Sequence, residues 1–231
     1  MSGIRVPEKA VRWASAQSVE FGPGEMAAAL GISRRSALQY LSRMETNAVI
    51  SKLMRGRYVS ALPKPSRKAQ KIARILAREM PLTRVVVWGT DSLVPYSHYI
   101  PPRPVFFVET AADDASSARD VLRENGYRVI ADPTVNEFRS STELGVEVFV
   151  RSARSLWGTI PWEKNVSLAI VEKMFVDLYF LVTRKGFPLP KTEVAKALRA
   201  AIDQKAARPE TVRRYAMRRN VYPELKEYVE G

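Results

Sequence analysis

Gly31-Ile32-Ser33 separates two short helix-forming segments, and two β-rich runs then flank Arg55-Gly56-Arg57. This order, running from Gly22 to Leu62, constrains the fold more than any other stretch. A short helix starts after Pro23, with Met26 and Leu30 four apart on one face. Gly31 has the backbone freedom that a tight helix–helix turn requires. Ile32 can plug the gap between the helices. Ser33 suits an N-cap, because its hydroxyl can accept an orphan N–H. The second helix is expected from Arg34 to about Thr46, burying Ala37, Leu41, Met44 and Ala48 with Leu38 at the edge. Its opposite face carries Arg35, Ser36, Gln39 and Arg43, with Tyr40 alongside. The pattern reads as a winged helix-turn-helix.

Arg34 and Arg35 stand in the first helical turn, where cations oppose the helix dipole at about 0.3–1 kcal/mol each. A helix shaped only for stability carries acids there. The mismatch makes sense if the helix start meets phosphates and base edges. Glutamine can read adenine and arginine guanine in the major groove. The expected DNA contacts are therefore Arg35, Ser36, Gln39 and Arg43 in the groove, with Tyr40 beside them. Arg34, Lys52, Arg55 and Arg57 are expected on the backbone. A winged helix used for protein contact, with its charges solvated, is the alternative.

The chain has 231 residues, more than one such domain needs, so two domains are expected. Its net charge is +13 and its pI about 10.1, which fits a polyanionic partner. The charge is uneven: +6 over 1–65, +4 over 66–80, −4 over 81–150 and +7 over 151–231. There is no cysteine, which rules out disulfides, thiolate metal sites and a cysteine nucleophile. With no signal peptide visible, a cytoplasmic location is expected. The longest apolar run, Leu168 to Val182, is interrupted by Glu172, Lys173 and Asp177 and reads as a buried helix.

Pro7 to about Val19 is expected to be the first helix, and Leu62-Pro63-Lys64-Pro65 a stiff exit. Ser66 caps a helix to about Glu79, with Ile72, Ile75 and Leu76 inward and Arg67, Lys68, Lys71, Arg74 and Arg78 outward. Strands are expected at Arg84–Trp88, Val105–Val108, Tyr127–Ala131 and Val146–Val150, with a helix at Asp113–Asn125. The last third reads as helices at Val166–Lys185, Lys191 to about Lys205, Pro209–Arg219 and Pro223–Val229. Arg213, Arg214, Arg218 and Arg219 exceed what capping a helix end needs. With Lys71 and Arg74 they form a candidate second nucleic-acid surface, the plainer alternative being solvated faces.

Enzyme chemistry finds little support. Nucleotidyl transfer needs a glycine-serine turn and then two carboxylates one residue apart on a nearby strand to hold Mg²⁺. Gly89-Thr90-Asp91-Ser92 could supply the turn, but the next strand offers only Glu109. Asp113 and Asp114 are adjacent, at a helix start, and point different ways. A metal-dependent nuclease wants Glu-x-Lys on a strand, yet Val148 and Phe149 follow Glu147. The single histidine, His98, lies in an aromatic- and proline-rich loop and reads as structural. Lys173 and Asp177 are four apart and can pair, as an ion pair at the rim of the core or as part of a partner site. No catalytic residue, cofactor or metal is expected.

The chain resembles the AbiEi-type antitoxins, transcriptional regulators paired with AbiEii-type nucleotidyltransferase toxins. The resemblance rests on the front end, on Val87-Trp88-Gly89-Thr90 before the loop with His98, and on Phe107-Val108-Glu109. It continues through Val129-Ile130-Ala131-Asp132-Pro133, Val171-Glu172-Lys173-Met174-Phe175-Val176-Asp177-Leu178 and Val212-Arg213-Arg214-Tyr215-Ala216-Met217-Arg218-Arg219. It implies an autorepressor that binds inverted repeats in operator DNA, and a C-terminal domain linked to neutralising a toxin. The expected architecture is α+β: a winged helix-turn-helix over 1–63, then a mixed α/β domain over 66–231 ending in a helical bundle. The expected function is sequence-specific DNA binding. The alternative is a nucleic-acid enzyme with a degenerate nucleotidyltransferase- or nuclease-like α/β domain.

Overall fold

The computed structural model describes residues 6–17, 20–47, 49–60, 66–97, 103–153, 156 and 158–231. Val19, Ala48, the 61–65 exit and His98 lie outside them. The chain is α+β and divides into two compact units, 1–64 and 65–231.

In the first unit α1 (Glu8–Ala16), α2 (Pro23–Leu30) and α3 (Arg34–Thr46) precede a hairpin of β1 (Ile50–Met54) and β2 (Arg57–Ser60). Gly31 takes the left-handed conformation, φ 65°, that ends α2. Ser33 Oγ accepts the Ser36 N–H at 3.0 Å and caps α3. Ala37, Leu41 and Met44 are buried, as are Met26, Phe21 and Tyr58. Phe21, between α1 and α2, exchanges both backbone hydrogen bonds with Tyr58 at 2.8 Å, a single isolated bridge to the two-stranded hairpin. Helix α1 stops at Ala16, short of the expected Val19.

The second unit is built on a mixed six-stranded sheet in the order β5-β6-β4-β3-β8-β7. Its strands are β3 (Val85–Gly89), β4 (Phe106–Thr110), β5 (Val129–Ala131), β6 (Val148–Ser152), β7 (Thr159–Glu163) and β8 (Val166–Ala169). β4 runs antiparallel to β3 and parallel to β6. Because side chains alternate along a strand, Val85, Val87, Phe106, Val108, Val148 and Val150 point to one face. There they meet α4 (Arg67–Glu79) and α5 (Ala115–Glu124). Val86, Trp88, Phe107 and Phe149 point to the other face. There they meet α7 (Val171–Lys185), α8 (Lys191–Asp203), α9 (Pro209–Arg218) and α10 (Tyr222–Glu230), with a short α6 (Val135–Arg139) set before β6. Trp88 stacks on Phe107 with ring centroids 4.1 Å apart. Strands buried on both faces read as unbroken apolar runs, which is why β3 and the Phe106–Val108 part of β4 are apolar.

The expected helix over 166–185 is corrected at its start. Val166–Ala169 is a strand, paired parallel to β3 and antiparallel to β7, and α7 begins only at Val171. From Val171 to Tyr179 every residue of α7 is buried. The sheet's two edges are irregular. β7 contains Pro161 and a register shift between Pro161 and Glu163. β5 has three residues and ends at Asp132, whose φ is 42°. The Asp132 carboxylate accepts both the N–H and the hydroxyl of Ser152. Among the described residues, no helix is long and apolar enough to cross a membrane.

Candidate nucleic-acid interface

Helix α3 has one outward stripe. Arg35, Leu38, Gln39 and Ser42 follow i, i+3, i+4, i+7 spacing and all four are exposed. Arg34 is exposed beside them. Leu38, at 47% exposure, is the apolar member of an otherwise polar stripe. The stripe offers a guanidinium, an amide and a hydroxyl, all able to hydrogen-bond base edges.

Several expected contacts stand elsewhere. Ser36 is half-buried, and its hydroxyl lies 2.9 Å from Ser33 Oγ, so it belongs to the helix cap. Tyr40 and Arg43 are half-buried on the flanks of α3. Ser42 was not among the expected readers, although its spacing from Arg35 was legible. On the hairpin, Lys52 and Arg55 are exposed, as is Met54 at 62%. Arg57, expected on the DNA backbone, is half-buried and ion-paired within its own unit. Its guanidinium pairs with Glu25 at 2.5 Å and with Glu20 at 3.2 Å. Glu25 Oε2 in turn accepts the Gly22 N–H at the start of α2. Backbone hydrogen bonds and then Arg57 hold the Glu25 carboxyl below its ordinary range. Arg57 thus ties the hairpin to the α2 start.

In the second unit the candidate cations do not share one surface. Lys71 and Arg74 are exposed on α4, on one face of the sheet. Arg213, Arg214 and Arg218 are exposed on α9, which packs on the other face. Arg219 is half-buried and pairs with Asp177 at 2.7 Å, its guanidinium 5.3 Å from the Phe180 ring. Lys68, expected to face solvent, is half-buried and pairs with Glu147.

Behind Arg219 lies a buried charge network. Lys173, fully buried, bridges Asp177 and Glu109, with Nζ 2.7 Å from Glu109 Oε2 at an angle outside hydrogen-bond geometry. Trp88 Nε1 donates to Glu109 Oε1 at 3.1 Å, and Arg151 Nη1 lies 3.6 Å from the same oxygen. Burial pushes the Glu109 carboxyl up, but Lys173 and Arg151 outweigh it and hold it below its ordinary value. Burial likewise opposes the Lys173 charge, but Glu109 and Asp177 outweigh it and raise the ammonium above its ordinary range. The pair expected at the rim of the core therefore sits inside it. Glu172, beside it and 1% exposed, accepts the Arg208 N–H at 3.2 Å, and burial raises its carboxyl. An ammonium held protonated is neither base nor nucleophile, and a carboxylate already paired inside the core cannot reach a metal ion from solvent. Among the described residues, no group of three or more histidine, aspartate or glutamate side chains could hold a metal.

No curated protein matches this chain. Residues 37–231 match a family of unknown function, DUF6577, a span that takes in most of α3, the hairpin and the whole second unit. The chain belongs to that family.

Proposed function

We propose that this protein is a sequence-specific DNA-binding regulator whose first unit is a winged helix-turn-helix. The exposed stripe of α3 carries the reading, because its hydrogen-bonding groups stand together on the helix after the turn. The Phe21–Tyr58 bridge supports it by fastening the segment between α1 and α2 to the hairpin, as a wing requires. Arg35, Gln39 and Ser42 enter the major groove, and Arg34, Lys52 and Arg55 contact phosphate. Arg57 positions the wing. The resemblance to AbiEi-type antitoxins extends the proposal to autorepression of a toxin–antitoxin operon from the cytoplasm. The rival enzyme needs Glu109 to hold Mg²⁺, and its burial against Lys173 argues against that role.

The test is binding to the DNA upstream of the protein's own gene, against a scrambled duplex, at two salt concentrations. A preference for the natural duplex that survives the higher salt is expected. Equal binding to both, vanishing with salt, would reduce the protein to a non-specific basic binder.

A further inference from the structure

Leu38 stands exposed in the middle of the polar stripe of α3, where it is placed to meet an apolar group on whatever that stripe binds. In the major groove the apolar group on a base edge is the C5-methyl of thymine. Leu38 is three residues from Arg35, four from Ser42 and adjacent to Gln39, so it faces where they face. Arg34, one turn before it, adds positive charge on the same side. That charge suits a polyanion and disfavours the apolar face of another protein as the occupant. Resting on the DNA-binding reading above, we propose that Leu38 is a specificity residue that contacts a thymine methyl, next to the base pair that Gln39 reads. The site recognised by α3 then contains a thymine that uracil cannot replace.

The experiment uses the full chain. Duplexes are selected from a randomised pool, and each thymine of the selected site is replaced singly by deoxyuridine, which removes only the methyl. Affinities are measured for wild type and for Leu38→Ala. Leu38 is exposed and alanine is the best helix former, so the variant keeps its fold. One thymine is expected at which deoxyuridine weakens wild type about fourfold, the factor for losing one buried methyl. At that position Leu38→Ala should be indifferent to the methyl. If a sequence is selected but every deoxyuridine is tolerated, or one is equally harmful to both proteins, Leu38 reads no methyl. If the pool yields no enriched sequence, the DNA-binding reading falls and this inference with it.

Discussion

Replacing Lys173 with methionine removes the cation shared by Glu109 and Asp177 while keeping an unbranched side chain one atom shorter. Breaking a buried ion pair from one side typically costs about 3–5 kcal/mol, because the remaining charge is stranded. Here the two carboxylates are left unequally. Asp177 keeps Arg219 at 2.7 Å, whereas Glu109 keeps only the Trp88 N–H and an arginine at 3.6 Å. That places the expected loss near the low end, about 3 kcal/mol. With a urea m-value of about 2 kcal/mol/M, the unfolding midpoint should fall by about 1.5 M, followed by circular dichroism. Adding Glu109→Gln removes the stranded charge and should recover at least half of the loss. A loss under about 1 kcal/mol, or a double variant whose costs simply add, would show that these charges do not act as a unit.

Four further outcomes follow from the same contacts. Lys173 is raised above its ordinary 10.5 and Tyr215 to about 12 from 10, burial being the largest influence on the tyrosine. Both hold their protons longer folded than unfolded, so stability should fall as pH rises beyond about 10, which a pH series of thermal melts would check. Glu109, held below 4.5, contributes stability that is lost as pH falls through the acid range, partly offset by Glu172, whose raised carboxyl does the opposite. On DNA, Arg35→Ala and Gln39→Ala should flatten sequence preference in a competition assay. Lys52→Ala and Arg55→Ala should weaken all sequences alike and lower the salt slope by about 0.9 each, whereas Arg57→Ala should weaken binding with the slope unchanged.

What could be read beforehand was local. The Ser33 and Ser66 caps, the buried stripe of α3 and the apolar runs of β3 and β4 each declare themselves within a few residues. The β7–β8 hairpin did not. Its second strand runs into α7 through Ile170 alone, with no glycine or proline between, and its turn uses a left-handed Lys164 in place of glycine. Apolar periodicity cannot separate a short buried strand from the helix it joins. In the candidate interface, the bounds of α3 are legible from its cap and buried stripe, but its outward stripe needs the structure. Ser36 has the spacing of a reader, but its hydroxyl lies against the Ser33 cap. Arg57 finds its partners 32 and 37 positions away, a separation no local pattern encodes. The spacing of Lys173 and Asp177 pairs them on one helix, yet Glu109 comes from β4 and reaches them only through the packing of α7 on the sheet.

The outer strands of the six-stranded sheet have a consequence for assembly. A free strand edge invites another chain to hydrogen-bond alongside it. Pro161 withholds an N–H from β7 and the shifted register bends that strand, while β5 offers three residues before Asp132 turns the backbone away. Growth of the six-stranded sheet by a foreign or duplicate strand is disfavoured at both edges. Lateral extension of this sheet is therefore a poor route for a companion, and the helices that cover its two faces offer the larger surface. Contacts there rest on side-chain chemistry, so single substitutions can tune or abolish them without touching the sheet.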